Sequence, residues 1–445
     1  MAENFLVCDR EQGWLMPPSV RDWLPEGHLA WFVLDVVERL DLEAIFDEYR
    51  SRGVGRPAHD PRMMVALLLY SYSVGERSSR RIERRCVEDV AFRVIAANQA
   101  PDHTTIARFR ARHARALADL FVGVLELCQK AGMVRVGKVA IDGTKVAANA
   151  SLGANRKHAA IRAEIERILA EADEVDAAED ELYGDARGDE LPPELADPVT
   201  RRERLESAAR ELEAEERARQ AEYQAVMARR EAHRERTGRN PMGRPPKAPD
   251  PELLGQSRRN VTDPDSRIMV TRGGHVQGYN AQAVVGEGQV ILAATVTNSP
   301  NDSNQLLPML GAARENLEAI EHDAAIKCVL ADGAYWNQAD IAAVRQTNTT
   351  VVIPTSDPHH KGERKRGPRQ GHEAERINKI LATTAGRRLY RRRAALVEPV
   401  FAHTKHTRGI RAFSRRGITA VEHEWQLIAT THNLLKLFRH QPQIA

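Results

Sequence analysis

Little in this chain suggests a fold held by anything but packing. It has four cysteines, Cys8, Cys86, Cys128 and Cys328, and no two form a CxxC pair. That excludes a disulfide framework and a cysteine zinc knuckle, and reads as reduced thiols of a cytosolic protein. Long apolar runs are missing. The most apolar window, Met63–Tyr72, is too short to cross a bilayer and reads as a buried helix, so no membrane partner is expected. The opening MAENFLVCDREQGW lacks a basic stretch followed by an apolar one, so no signal peptide is expected. Excess charge of one sign is absent too: 65 Lys and Arg face 62 Asp and Glu, a net +3.

What is there is segregation. Arginine gathers towards both ends, and an acid-rich block fills the middle. With 445 residues there is room for two or three domains. Apolar residues recur at helical spacing from His28, and a second helix is expected over Leu42–Arg50. Pro61 suits the first turn of another helix. Ser78 or Ser79 can cap one bearing Arg80, Arg81, Arg84 and Arg85, and a further helix is expected over Val87–Ala97. Asp102 can cap a helix whose first turns carry Thr104, Thr105, Arg108 and Arg112. Short helices leading to a capped helix with Thr and Arg resemble a helix-turn-helix, and an ordinary bundle with a solvated basic face fits the same pattern.

Around Asp142 the pattern changes. Val136 to Ile141 reads as a short apolar strand that runs out at Asp142-Gly143. An Asp-Gly turn would explain the pair; so would a metal ligand held at a strand end. The same context recurs: Ile326–Leu330 reads as a strand, with Asp332-Gly333 after it. If the two strands are neighbours, two carboxylates face one crevice and call for a cation. Mg²⁺ is the natural choice for a carboxylate site, with Mn²⁺ expected to substitute. Two such ions about 3.5–4 Å apart serve phosphoryl transfer. Glu398, in LYRRRAALVEPVFAHTK, is the candidate third acid. On an unbroken helix Arg387, Arg391, Glu398 and Lys405 share a stripe, and Pro399 is expected to kink that helix or to start a new one. A surface ion pair is the competing reading for Glu398. His403 and His406 have neither a cysteine nor a clear third ligand beside them, which argues against zinc.

Between these blocks, Lys157–Leu182 and Val199–Arg236 are rich in Ala, Glu and Arg, with Tyr183–Pro198 breaking them apart. They read as an inserted helical hairpin, followed by a Pro-rich basic linker at Gly238–Asp250. Strands are expected at Asn280–Val285, Gln289–Thr297 and Thr350–Ile353, helices at Asp302–Ile320, Asn337–Arg345 and Glu422–Arg439, and a basic loop at Asp357–Gly371.

The order VAIDGTKV, a strand hairpin, VLADGAYWN and YRRRAALVEPVFAHTK resembles the DDE transposases of bacterial insertion sequences. It is most similar to the group with a Tyr-Arg-Glu-Lys signature, here Tyr390, Arg393, Glu398 and Lys405. DPRMMVALLLYSYSVGERSSRRIE, PDHTTIARFRARH, GHVQGYNAQAVV and EWQLIATTHNLLK carry the likeness further; Ala402 departs from it, where glycine is frequent. The resemblance implies an α/β chain with an RNase H-like core, a mixed five-stranded sheet with helices, formed by 133–154 and 251–445. An all-helical DNA-binding domain at 1–132 would precede it, and 155–250 would interrupt it. Asp142, Asp332 and Glu398 would be catalytic and hold the metal. Thr104, Thr105, Arg108, Arg112, Tyr390, Arg391, Arg393 and Lys405 would face double-stranded DNA, both terminal inverted repeats and target. The reaction implied is metal-dependent cleavage at element ends followed by strand transfer, by a homodimer on DNA, in the bacterial cytoplasm at the nucleoid. A transposase-derived DNA-binding protein without catalysis, and a nonspecific metal nuclease of the same fold, are the rival readings.

Overall fold

The computed structural model describes residues 19–49, 58–167, 196–241, 244–250, 252–271, 273–355 and 369–440. The loop expected at Arg52–Ala58, the break at Tyr183–Pro198 and the basic loop at Asp357–Gly371 lie wholly or mostly outside the described residues.

Capping side chains set the helices of the first segment. These are α1 (Leu29–Val37), α2 (Glu43–Phe46), α3 (Pro61–Ser73), α4 (Ser79–Glu88), α5 (Val90–Ile95), α6 (His103–Arg112) and α7 (Ala114–Lys130). Asp60 accepts from the Arg62 N–H ahead of Pro61, and Ser78 from that of Arg81. Asp89 has extended backbone and accepts from the N–H groups of Ala91 and Phe92. It therefore splits the single helix expected over Val87–Ala97. The helix expected over Leu42–Arg50 shrinks to α2.

The sheet is mixed and has six strands, one more than expected. β1 (Lys138–Ala147) lies antiparallel to β5 (Gly274–Val285) on one side. On its other side it runs parallel to β7 (Cys328–Leu330), which in turn runs parallel to β8 (Thr350–Val352). The far edge of β5 is shared by β4 (Arg267–Thr271) and β6 (Ile291–Thr297). β4 is the unexpected strand: RIMVT alternates but is short, and Ile268 and Val270 face outwards. β1 is also longer than read from its apolar run, because β5 pairs with it as far as Ala147. Gly143 is therefore a strand residue, and the Asp-Gly turn does not occur.

α11 (Leu306–Ala319), α12 (Gln338–Gln346), α13 (His372–Ala382), α14 (Thr384–Ala402) and α15 (Ile418–His440) complete the core. One hydrophobic cluster runs from Ala30 through α3, α7 and the sheet to Leu437. The helical segment thus joins the sheet through α15, which touches α3, α7 and β6. Buried Glu424 ties the two together. It accepts from Arg77 Nη1 at 2.9 Å and from Ser414 Oγ at 2.7 Å, and from the Arg415 N–H at 3.0 Å.

The middle block leaves and rejoins the core through a two-stranded ribbon, β2 (Asn155–Lys157) with β3 (Arg258–Asn260). A helix over 158–167 (α8) and the long α9 (Ala196–Thr237) follow β2. They form a small core of their own, Ile161 and Ile165 against Leu205, Ala208 and Leu212. A short α10 (Glu252–Gln256) leads back to β3.

Pro399 sits inside α14, which neither ends nor restarts there but passes into a π-helical turn at His403–Thr407. Proline leaves the Ala395 carbonyl without its helical N–H. Gln289, at the β5–β6 turn, supplies the donor: its Nε2 lies 3.0 Å from that oxygen. Its Oε1 accepts from Lys436 Nζ at 3.1 Å on α15. Gln289→Asn suits the left-handed backbone there (φ 60) and falls one methylene short. It is expected to cost about 0.5–1.5 kcal/mol in urea unfolding. In a Pro399→Ala background, where the helix satisfies its own carbonyl, the cost should shrink. An equal cost in both backgrounds would disprove this role.

Candidate catalytic site

The parallel register builds the site. Ala140 pairs with Leu330 as the last paired residues of β1 and β7. Two residues further on, the same side-chain phase brings Asp142 and Asp332 side by side at the open end of the strands. Asp142 remains in strand against Ala283 of β5. Asp332 caps a single 3₁₀ turn, Gly333–Tyr335, and accepts from the Ala334 N–H at 2.8 Å.

α14 closes the site. Arg393 Nη1 lies 2.8 Å from Asp142 Oδ2, and both side chains are largely buried, at 17% and 20% exposure. Burial pushes the Asp142 carboxyl up to about 6; Arg393 opposes that and Asp332 adds to it. Burial alone would lower the Arg393 guanidinium, but Asp142, Tyr390 and Asp332 together hold it above its ordinary value. Tyr390 shares a hydrogen bond with Arg393, and burial raises its phenol.

Behind the pair lies a buried polar cluster that sequence reasoning missed. Asp302 Oδ1 accepts from Asn280 Nδ2 at 2.6 Å and Gln282 Nε2 at 2.7 Å, with Lys145 Nζ at 3.7 Å. Tyr335, fully buried, donates its hydroxyl to Gln282 Oε1. Burial lowers the Lys145 ammonium, while Asp302, Asp332 and Asp142 hold it up. Gly143 makes the cluster possible. A Cβ there would collide with Gln282 Nε2 and lie 2.7 Å from Asn280 Oδ1 and 3.0 Å from Asp302 Oδ1. The signal was present in the sequence: Asn280 and Gln282 alternate within an otherwise apolar strand, and polar groups buried that way require partners.

The other expected residues fall in different places. Glu398 is on an exposed part of α14 and forms no hydrogen bond or ion pair with the described residues. Among the described residues no group of three or more His, Cys, Asp or Glu is placed to hold a metal ion. Arg391 is exposed, and Lys405 Nζ donates to the Lys145 carbonyl at 2.6 Å. On α6, Thr104 and Thr105 both donate to Asp102, the cap. Arg112 holds Glu48 at 2.7 Å and lies over the Tyr49 ring, whereas Arg108 is exposed. Trp425 is buried, as expected for a core residue. His403 faces His432, Nδ1 to Nδ1, at 3.1 Å.

The donor chemistry of Asp142 and Asp332 suits a hard divalent cation: two oxygen ligands, adjacent, in a site where burial already disfavours two bare charges. The Arg393 guanidinium supplies that counter-charge here.

A mixed sheet with helices against it, bearing acids on adjoining strands, is compatible with the RNase H-like core of a DDE transposase. Two family comparisons bear on this. Residues 18–112 match the transposase domain DUF772. Residues 256–434 match the transposase DDE domain. No curated protein and no solved structure matches the chain. Two stretches of the chain thus match transposase domain models, the first of them helical in this structure. Asp142 lies outside both matches; the seating of β1 between β5 and β7 is what joins it to the DDE segment. No helix among the described residues is long and apolar enough to cross a membrane.

Two outcomes follow. Gly143→Ala should destabilise the protein by about 1–3 kcal/mol, through overpacking against the mutually hydrogen-bonded side chains of Gln282, Asn280 and Asp302; urea unfolding measures it, and a neutral result would deny the cluster its tight fit. The Asp142 carboxyl, raised from 3.8 to about 6 on folding, contributes stability that is full below about pH 4 and is lost as pH rises through about 6. Asp142→Asn should flatten that limb of the stability–pH curve of the metal-free protein. An unchanged limb would mean that Asp142 titrates normally.

Proposed function

We propose that this chain is an active DDE transposase that cuts double-stranded DNA at the ends of an insertion sequence and joins them to a target. The observation that carries the reading is the adjacency of Asp142 and Asp332 beyond the parallel strands, faced by Arg393, in a chain with both transposase matches. Water attacks the phosphodiester at the element end, and the P–O bond to the departing 3′ oxygen breaks, leaving a free 3′-hydroxyl. That hydroxyl then attacks a target phosphodiester, forming a new P–O bond as the bond to the target strand's 3′ oxygen breaks. No enzyme nucleophile is required. Asp142 and Asp332 are the ligands for Mg²⁺ or Mn²⁺, with Glu398 as the third acid when α14 engages DNA. When bound, the ions supply charge for the attacking and leaving oxygens.

The chain's own groups do the rest. Arg393 neutralises the site before the ions and DNA arrive and is then free to meet phosphate oxygens, as a planar fork suits. Tyr390 and Arg391 on the same helix, and Lys405 in the π-helical turn after it, serve the DNA backbone. Exposed Arg108 on α6, with Thr104, Thr105 and Arg112 beside it, serves duplex recognition. Joining two ends favours a homodimer on DNA.

In a nicking assay on end-containing DNA with Mg²⁺, Asp142→Ala and Asp332→Ala should each lose roughly a thousandfold or more in rate while DNA binding survives. Glu398→Ala should fall as far. Retained cleavage in that variant alone would remove Glu398 from the site. Absence of Mg²⁺-dependent cleavage by the wild type would favour a DNA-binding protein without catalysis, and equal cutting of DNA lacking element ends would favour a nonspecific nuclease.

A further inference from the structure

α9 is two different helices in sequence terms. It has 42 residues, hence a length of about 63 Å. Its first half is docked: Leu205, Ala208 and Leu212 pack on α8, and its acids are spent on the core side. Glu215 meets Arg259 at 2.6 Å and Arg267 at 2.7 Å, and Glu213 meets His158 at 3.2 Å. The apolar cluster ends at Leu212. Beyond Glu216, the last buried residue of the helix, the remaining stretch, roughly 32 Å to Thr237, has no apolar cluster among the described residues, and one side is partly covered, where Arg230 Nη2 donates to the Pro241 carbonyl at 3.3 Å.

The charge on this far half is one-sided. Arg229, Arg234 and Arg236, then Arg239, Arg244 and Lys247 beyond the helix, are all exposed, and their side chains pair with nothing among the described residues. The acids after Glu222 are Glu231 and Glu235. At about 100° per residue, Arg229, Arg230, Arg234 and Arg236 occupy one side of the helix and the two acids the other. Such a stretch gains nothing from presenting Arg229, Arg234 and Arg236, which have no side-chain partner among the described residues, unless an anionic partner meets them. Its base is the β2–β3 ribbon, which leaves the end of the strand that carries Asp142.

We infer that the far half of α9, with Arg239, Arg244 and Lys247 after it, is a second DNA-binding surface, an arm that grips duplex phosphates outside the catalytic cleft. This rests on the transposase reading for the identity of the polyanion. Phosphate contacts are independent of sequence, so a duplex of about 60 base pairs without element ends is the probe. The variant is Arg229→Gln, Arg234→Gln, Arg236→Gln and Arg239→Gln together, since Gln keeps the helix propensity of Arg. The dependence of log K on log salt should fall by about 0.9 for each phosphate that is no longer neutralised, and so by roughly 2 or more in the quadruple variant. Thermal unfolding should be unchanged.

An independent measurement uses the wild type: phenylglyoxal labelling of Arg229, Arg234 and Arg236, which the duplex should suppress. A wild type that binds the duplex, with an equal salt slope in the variant and no protection from labelling, overturns the arm. A wild type that does not bind DNA at all overturns the transposase reading itself. Protection that depends on protein concentration without DNA would assign the surface to a second copy and likewise overturn the proposal.

Discussion

A guanidinium laid on a buried carboxylate, Arg393 on Asp142, is the contact on which the site depends. Two acids on neighbouring strand ends repel, and burial makes that repulsion costly. When both are ionised, something positive must stand there. In this structure it comes from α14. Packing that helix against β1 therefore does more than cover the sheet: it carries the charge that lets Asp142 and Asp332 coexist. Were divalent ions to supply that charge instead, Arg393 would be released from Asp142.

The surrounding structure makes the contact possible. Gln289 answers the carbonyl that Pro399 leaves open, so α14 runs through its proline without breaking. Glu424 fastens the loop before α15 to Arg77 of the helical segment. Gly143 leaves room for Asn280, Gln282 and Asp302, and through Gln282 and Tyr335 that cluster reaches the turn beginning at Asp332. Strand register, a glycine and three buried polar groups thus fix the two acids from opposite sides. The match to the transposase DDE domain contains Asp332, Arg393, Asn280, Gln282 and Asp302, and neither match contains Asp142.

Much of it was legible in the residues. The repeated apolar-strand–Asp-Gly pattern pointed to Asp142 and Asp332, and the parallel register of β1 and β7 sets them side by side. Helix caps at Ser78 and Asp102 were readable because a cap side chain accepts a first-turn N–H, here that of Arg81 and of Thr105. Pairing was not readable. β1 extends past Asp142 only because β5 lies beside it, and β4 exists only as a partner of β5. Asp302 looked like a helix start; its role comes from Asn280 and Gln282, about twenty residues away. The stripe drawn through Glu398 assumed that spacing on a helix decides what a side chain faces. Arg393, off that stripe, is the residue that reaches Asp142, while Glu398 stays on the exposed side of α14.

The central claim is that Asp142 and Asp332 form one cation site which Arg393 holds in the ions' place. Anomalous scattering from crystals grown with Mn²⁺ and an element-end duplex tests it most directly. The account expects a manganese peak bridging the two carboxylates, with Arg393 withdrawn from Asp142 towards a phosphate. Arg393 still seated on Asp142, with no manganese at either acid, would contradict it.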